Sequence, residues 1–168
     1  MHAKELIQFA LTASNAAVLG AIDKLSDAPT TFPTPNGGCH PLWVLGHLTV
    51  IEGMIPAVIF GDQNAAAAWE KYFGRGSQTV GNAAAYPSFT EVRKKYLELR
   101  ERNLKLLESL SEEDLDQPVK APPKGLEQLF ATVGLTFLSL ATHQMMHYGH
   151  ATDALRAAGR TGAAAQAA

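Results

Sequence analysis

Along almost the whole chain, apolar residues recur every three or four positions, and nowhere do they alternate at period two for long enough to make a strand. That periodicity restricts the fold to packed helices. Residues 3–25 read as a first helix, with Leu6, Phe9, Ala13 and Ala16 on its core face and abundant alanine to favour it. The proline- and glycine-rich stretch from Ser26 to Cys39 reads as a loop. Pro41 then occupies the first turn of a second helix that runs to about Phe60 with Gly61 beyond its end. Pro56, inside that segment, predicts a kink or an early stop.

A short helix follows from Asn64, its cap, to Phe73, and residues 74–87 read as a long, mobile connection. Ser88 and Glu91 form a capping box that opens a third long helix, its core face being Phe89, Val92, Tyr96, Leu99, Leu106 and Leu110. The Arg, Lys and Glu residues between them read as a solvated face. Ser111 and Asp114 cap a minor turn, Pro118, Pro122 and Pro123 mark another loop, and a last helix spans about Leu126 to Ala158. A chain of 168 residues is the size of one domain. The expectation is an all-α protein: a four-helix bundle with two long crossover connections and a short extra helix, occupying residues 1–158. The Ala/Gly-rich tail, 159–168, is expected to fray.

Composition narrows the partners. With 14 basic and 16 acidic residues the formal charge is −2, which lacks the basic excess of a generic nucleic-acid or anionic-membrane binder. No apolar run is read as long enough to span a membrane, and the N-terminal sequence has no signal-peptide shape. One cysteine, Cys39, excludes an intramolecular disulfide and suits a reducing cytoplasm. Its place at a helix N-terminus can lower a thiol's pKa, although a lone cysteine is more commonly a buried inert one.

The six histidines are the compositional oddity. His143, His147 and His150 continue a stripe that runs through Leu129, Val133, Thr136 and Leu140 to Ala154, within about 60° of arc on one helix side. Imidazoles on a core-facing stripe are costly without partners. His143 and His147, at i,i+4, can converge on one divalent ion, and so can His147 and His150 at i,i+3. All three cannot easily do so, because His143 and His150 lie about 10 Å apart along the axis. A second element must therefore contribute. His47, on a stripe with Trp43, Val50 and Met54, is the best candidate, giving a three-histidine site with coordination positions left open. A lone inward histidine is more often a hydrogen-bonded core residue; the coincidence of two such stripes is what argues for metal.

Other metal and catalytic motifs fail. Gln144 stands where a zinc-protease His-Glu-x-x-His would carry its general base. The inward glutamates of a di-iron bundle are missing, and Glu52, the one acid deep in an apolar helix, reads as a structural or supporting residue with a ligand role as the lesser option. Phosphate-binding, dinucleotide-binding, nucleophile-elbow and haem-attachment motifs are all absent. Thr136, Gln144 and Tyr148 are candidate supporting groups, Gln144 pointing about 100° from its neighbouring ligand, toward an interhelix or dimer contact.

Trp43-Val44-Leu45-Gly46-His47-Leu48, Leu110-Ser111-Glu112-Glu113-Asp114-Leu115 and His143-Gln144-Met145-Met146-His147-Tyr148-Gly149, in this order, resemble the DinB-like (YfiT-like) superfamily of metal-dependent enzymes. The resemblance spans most of the chain. It implies a DinB/YfiT-like bundle, often a homodimer, in which His47, His143 and His147 bind a divalent metal such as Zn, Ni or Fe. His150 stands where many members have Gln, which implies a place at the site's rim as a substrate contact or proton shuttle. The family includes transferases and isomerases that use a low-molecular-weight thiol, so the resemblance implies an enzyme of thiol S-transferase type acting on a small molecule. A metal-dependent hydrolase using metal-bound water, or a non-catalytic metal-binding stress-response module, is the alternative. Residues 74–87 and Thr30–Cys39 are expected to shape the entrance.

Overall fold

The computed structural model describes residues 2–26, 30–31 and 39–160, and among them every regular element is helical. Four long helices, α1 (Ala3–Asp23), α2 (Pro41–Phe60), α4 (Phe89–Ser109) and α6 (Val133–Ala157), form the bundle, with short helices α3 (Glu70–Phe73) and α5 (Glu112–Leu115) in the connections. One apolar cluster joins the C-terminal halves of α1 and α6 to the N-terminal halves of α2 and α4, and a second joins the opposite halves. Helices α1 and α6 therefore run parallel, antiparallel to α2 and α4, and α1 packs mainly on α6 as α2 does on α4. Because α2 and α4 are parallel, residues 61–88 must return along the bundle, which is one of the two crossovers expected; α1 with α2 and α4 with α6 are antiparallel and need none. The link between α1 and α2 lies partly outside the described residues, as do residues 161–168 of the tail.

Helix α2 is the core of the molecule. His40 caps it, its Nδ1 accepting from the Trp43 N–H at 3.0 Å, and Pro41 fills the first turn. The helix continues through Pro56 to Phe60 and closes on Gly61 at φ 80°, so the expected early stop does not occur. The reason lies in another helix. Pro56 has no N–H for the Glu52 carbonyl four residues back, and that carbonyl instead accepts from Asn103 Nδ2 at 2.8 Å and Arg102 at 3.3 Å. By length and hydropathy α1 and α2 could each cross a membrane, contrary to the expectation that no run is long enough; 78% of the apolar window of α2 is buried inside the bundle.

Two helix faces and one helix start differ from the sequence reading. In α1 the buried residues are Ile7, Leu11, Ser14, Val18, Ala21 and Ile22, whereas Leu6 and Phe9 are 49% and 70% exposed and Ala13 and Ala16 face outward with them. In α4 the capping box of Ser88 and Glu91 is present, but the inner stripe runs Val92, Tyr96, Leu99, Arg100, Asn103 and Leu107. Phe89, Leu106 and Leu110 are only half-buried, and Arg100 is not on a solvated face. Helix α6 starts at Val133, capped by Thr132, rather than near Leu126. The preceding backbone is committed elsewhere, Val119 N–H donating to the Ala131 carbonyl and Val133 N–H to that of Gln117, and Leu129 is exposed.

Between the two apolar clusters lies a polar layer to which every long helix contributes. The Glu52 carboxylate is fully buried and paired with Arg100 at 2.9 Å. Asn103 Nδ2 donates to it at 2.7 Å and Gln144 Nε2 at 3.2 Å. Gln144 also donates to Tyr96 Oη at 2.9 Å and accepts from Ser14 Oγ at 2.6 Å, while Arg100 reaches the Leu11 carbonyl. Burial pushes the Glu52 carboxyl above its usual range, with the Arg100 charge and the Asn103 bond pulling it back.

Candidate metal centre

The histidine stripes of α2 and α6 meet in the apolar half around the start of α2. His47, His143 and His147 each offer one ring nitrogen, and the three atoms lie within 4.8 Å of one another. The Nε2 atoms of His143 and His147 are 3.2 Å apart, and the His47 ring sits 5.1 and 5.0 Å from theirs, centroid to centroid. His47 Nδ1 is 2.7 Å from the Phe73 carbonyl, which can only accept. Its proton is therefore on Nδ1, and Nε2 presents a lone pair.

The set fits a divalent ion. Two nitrogens at about 2.1 Å from one zinc with a near-tetrahedral angle sit roughly 3.4 Å apart, close to the observed Nε2 pair. Burial and mutual repulsion hold the imidazoles neutral, as ligation requires: His143 is lowered to about 4, His147 to about 2, and His47 is lowered chiefly by burial. The buried Nδ1 of His143 has no hydrogen-bond partner among the described residues. An all-imidazole donor set suits Zn, Fe, Ni or Cu rather than Mg or Ca.

Around the cluster, Trp43 stacks on His47 at 4.8 Å and 8° and covers one face of that ring. Its Nε1 donates to Ser77 Oγ at 2.9 Å, and His40 Nε2 donates to the Val80 carbonyl at 3.1 Å. Together with the Tyr86 hydroxyl on Val80 N–H, these bonds tie residues 74–87 down over the start of α2, where the sequence suggested a mobile connection. Most of the Thr30–Cys39 segment lies outside the described residues. Cys39 is half-buried with its thiol pushed up by burial, so the helix terminus does not activate it.

The other candidates separate cleanly. His150 is half-buried, its Nδ1 lying 3.2 Å from His147 Nδ1, on the far side of that ring from the convergent nitrogens. Among the described residues the group of three therefore selects the His143/His147 pair over His147/His150. Glu52 and Gln144 belong to the polar layer, Gln144 as the interhelix contact expected of it. Thr136 bonds back to the Thr132 carbonyl within its own helix, and Tyr148 packs against the apolar cluster. The sequence reading missed the Phe73 carbonyl. Its signal was Gly46, one residue from His47 in an otherwise apolar helix: a Cβ there would overlap the Phe73 ring.

A family model described as the DinB superfamily matches residues 10–151. No curated protein matches the chain.

Proposed function

The chain belongs to the DinB superfamily, and on that footing we propose that His47, His143 and His147 hold one divalent metal ion in an enzyme acting on a small molecule. The observation that carries this reading is the convergence of three imidazole nitrogens from two helices, His47 and His147 buried and His143 half-buried, each with its charged form disfavoured. Zn, Ni or Fe would serve. The preferred reaction class is S-transfer of a low-molecular-weight thiol. An ion in this position would favour thiolate over thiol at neutral pH.

The protein's own residues have distinct parts in this reading. The Phe73 carbonyl orients His47 through its Nδ1–H, and Trp43 excludes water from one side of that ring. Desolvation keeps His143 and His147 unprotonated across the physiological range, so their lone pairs stay available. No fourth protein ligand joins the three among the described residues, which favours open coordination over a closed storage site. We place the protein in the cytoplasm, without nucleic-acid or membrane partners, in keeping with its charge of −2 and single cysteine.

A homodimer belongs to the same reading, through the outer face of α1 and α6. No charged residue occurs from Leu6 to Ile22 or from Val133 to Thr152. Leu6, Phe9, Leu135, Leu138, Met145 and Met146 are 39% to 70% exposed, and Ala10, Ala13, Leu138, Ala141 and Met145 line a groove of about 340 Å³ between the two helices. At roughly 200 Å² for a fully exposed large side chain, these six offer on the order of 600 Å². That is the upper end of a monomer's largest apolar patch and most of the ~800 Å² each partner of a stable dimer buries.

Elemental analysis of protein purified without chelator tests the metal reading. One metal ion per chain is expected in the wild type and close to none in His143→Ala. A metal-free wild type, with no uptake on adding zinc, nickel or iron, would overturn it.

A further inference from the structure

We propose that His150 is a positioning residue: it accepts the Nδ1 proton of His147 and so keeps the Nε2 lone pair of His147 turned toward the cluster. The proposal rests on the three-histidine metal reading and concerns how that site is built.

The two nitrogens of His147 face different neighbours. Nε2 lies 3.2 Å from His143 Nε2, and Nδ1 lies 3.2 Å from His150 Nδ1. A neutral imidazole carries one proton, and a ligand nitrogen must be bare. For Nε2 to serve as a ligand, the His147 proton must sit on Nδ1, where the acceptor in contact among the described residues is His150 Nδ1. His150 then carries its own proton on Nε2. Metal-binding histidines are commonly fixed in this way by a group bonded to the other ring nitrogen.

Comparison of the three ligands shows why this bond matters here. His47 has its tautomer set by a backbone carbonyl, that of Phe73, which cannot change its role. His143 has no partner at Nδ1 among the described residues. The His143/His147 pair is therefore fixed from one end alone, and that end is the side chain of His150. With the His147 proton on Nε2 instead, the proton would point at His143 Nε2. His143, with its Nε2 bare as a ligand, holds its own proton on Nδ1 in either arrangement, so the contact between His147 and His150 is what separates the two. A fourth-ligand role for His150 does not fit, since its near nitrogen sits behind the His147 ring and outside the convergent group.

The test is zinc affinity of chelator-stripped protein, measured by competition with a chromophoric chelator, beside the melting temperature of the metal-free forms. His150→Ala is expected to weaken zinc binding about 10- to 100-fold. His150→Gln, whose amide oxygen can accept the same proton, should stay within about threefold of wild type. Metal-free melting temperatures should be unaffected by either change, since His150 is half-exposed. If His150→Ala fails to fold, His150→Leu, which keeps bulk without an acceptor, carries the same expectation. Zinc binding by His150→Ala as tight as wild type overturns the proposal alone, as does a His150→Gln protein as impaired as His150→Ala. A wild type that takes up no zinc overturns the metal reading and the proposal with it.

Discussion

Replacing Gly46 by alanine perturbs the site without touching any histidine. A Cβ at this position would overlap the van der Waals surface of the Phe73 ring, against its Cγ, Cδ1 and Cε1. The ring is fully buried, stacked on Tyr86 at 5.3 Å and 15° and edge-on to Trp69 at 6.2 Å, so it has no free rotamer to swing into. Restoring an ordinary carbon contact requires it to withdraw by about 1 Å. Overpacking of this kind costs about 1–3 kcal/mol, and each kcal/mol lowers Tm by about 2–4 °C at this chain length. The Phe73 carbonyl travels with its residue. It lies 2.7 Å from His47 Nδ1, so the same displacement stretches that bond beyond hydrogen-bonding distance. Losing a bond that orients a ligand weakens metal binding by about 10- to 100-fold. Urea melts and zinc competition measure the two effects separately. Phe73→Leu in the Gly46→Ala background should restore part of the stability, because it removes ring atoms from the path of the new methyl. A Gly46→Ala protein within about 0.5 kcal/mol of wild type and unchanged in zinc affinity would refute the chain of contacts from Gly46 through Phe73 to His47.

Arg100→Met leaves the buried Glu52 carboxylate without its countercharge and should cost about 3–5 kcal/mol in urea melts. Adding Glu52→Gln should recover much of that loss, and strictly additive costs would argue against coupling of the pair. For the metal-free protein, His143 and His147 titrate near 4 and 2 when folded against 6.5 as the ordinary value. Below pH 6.5 the unfolded chain therefore binds more protons, and stability should fall as pH drops toward 4, by at most about 3 kcal/mol per pH unit for the pair. Melts in chelator at pH 7.5, 6 and 5 check this, and a flat profile would contradict neutral burial. Phe9→Glu places a charge in the apolar face of α1 and α6 and should convert a dimer to monomers by light scattering. A wild type that is already monomeric at micromolar concentration would remove the basis for that interface.

The sequence carried the histidine stripes because α2 and α6 are strongly patterned around them. A polar ring on an apolar stripe is visible without any knowledge of the partner helix, and so is a capping box such as Ser88 and Glu91. The inner face of α1 was not legible in the same way. From Leu6 to Ile22 it has no charged residue to mark the solvent side, so the Leu6–Phe9–Ala13–Ala16 stripe looks as core-like as Ile7–Leu11–Val18. Its true direction depends on what else packs there. Arg100 was hidden for the opposite reason, sitting in a run of charges where one inward guanidinium resembles its neighbours. The start of α6 was misplaced because residues 117–119 claim the backbone near Ala131 and Val133, a nonlocal competition that periodicity does not record.

The polar layer connects Arg100 and its partners to the site. Glu52 lies five residues beyond His47 on α2, and Gln144 adjoins His143 on α6; the bond between them joins the two helices that supply the histidines. A one-turn slip of α6 along α2, about 5.4 Å, would separate Gln144 from Glu52 and carry His143 and His147 away from His47 in the same movement. Apolar packing alone discriminates weakly against such a slip, because Leu, Val and Ala faces tolerate exchange of one apolar neighbour for another. Buried polar groups do not, since each unpaired donor or acceptor costs about 1–3 kcal/mol. Pro56 adds to the constraint, as it frees the Glu52 carbonyl that Asn103 then occupies, tying α4 to the same level of α2. Alignment of the imidazoles is thus a consequence of hydrogen bonds made within about two turns of them, by residues that take no part in the histidine cluster.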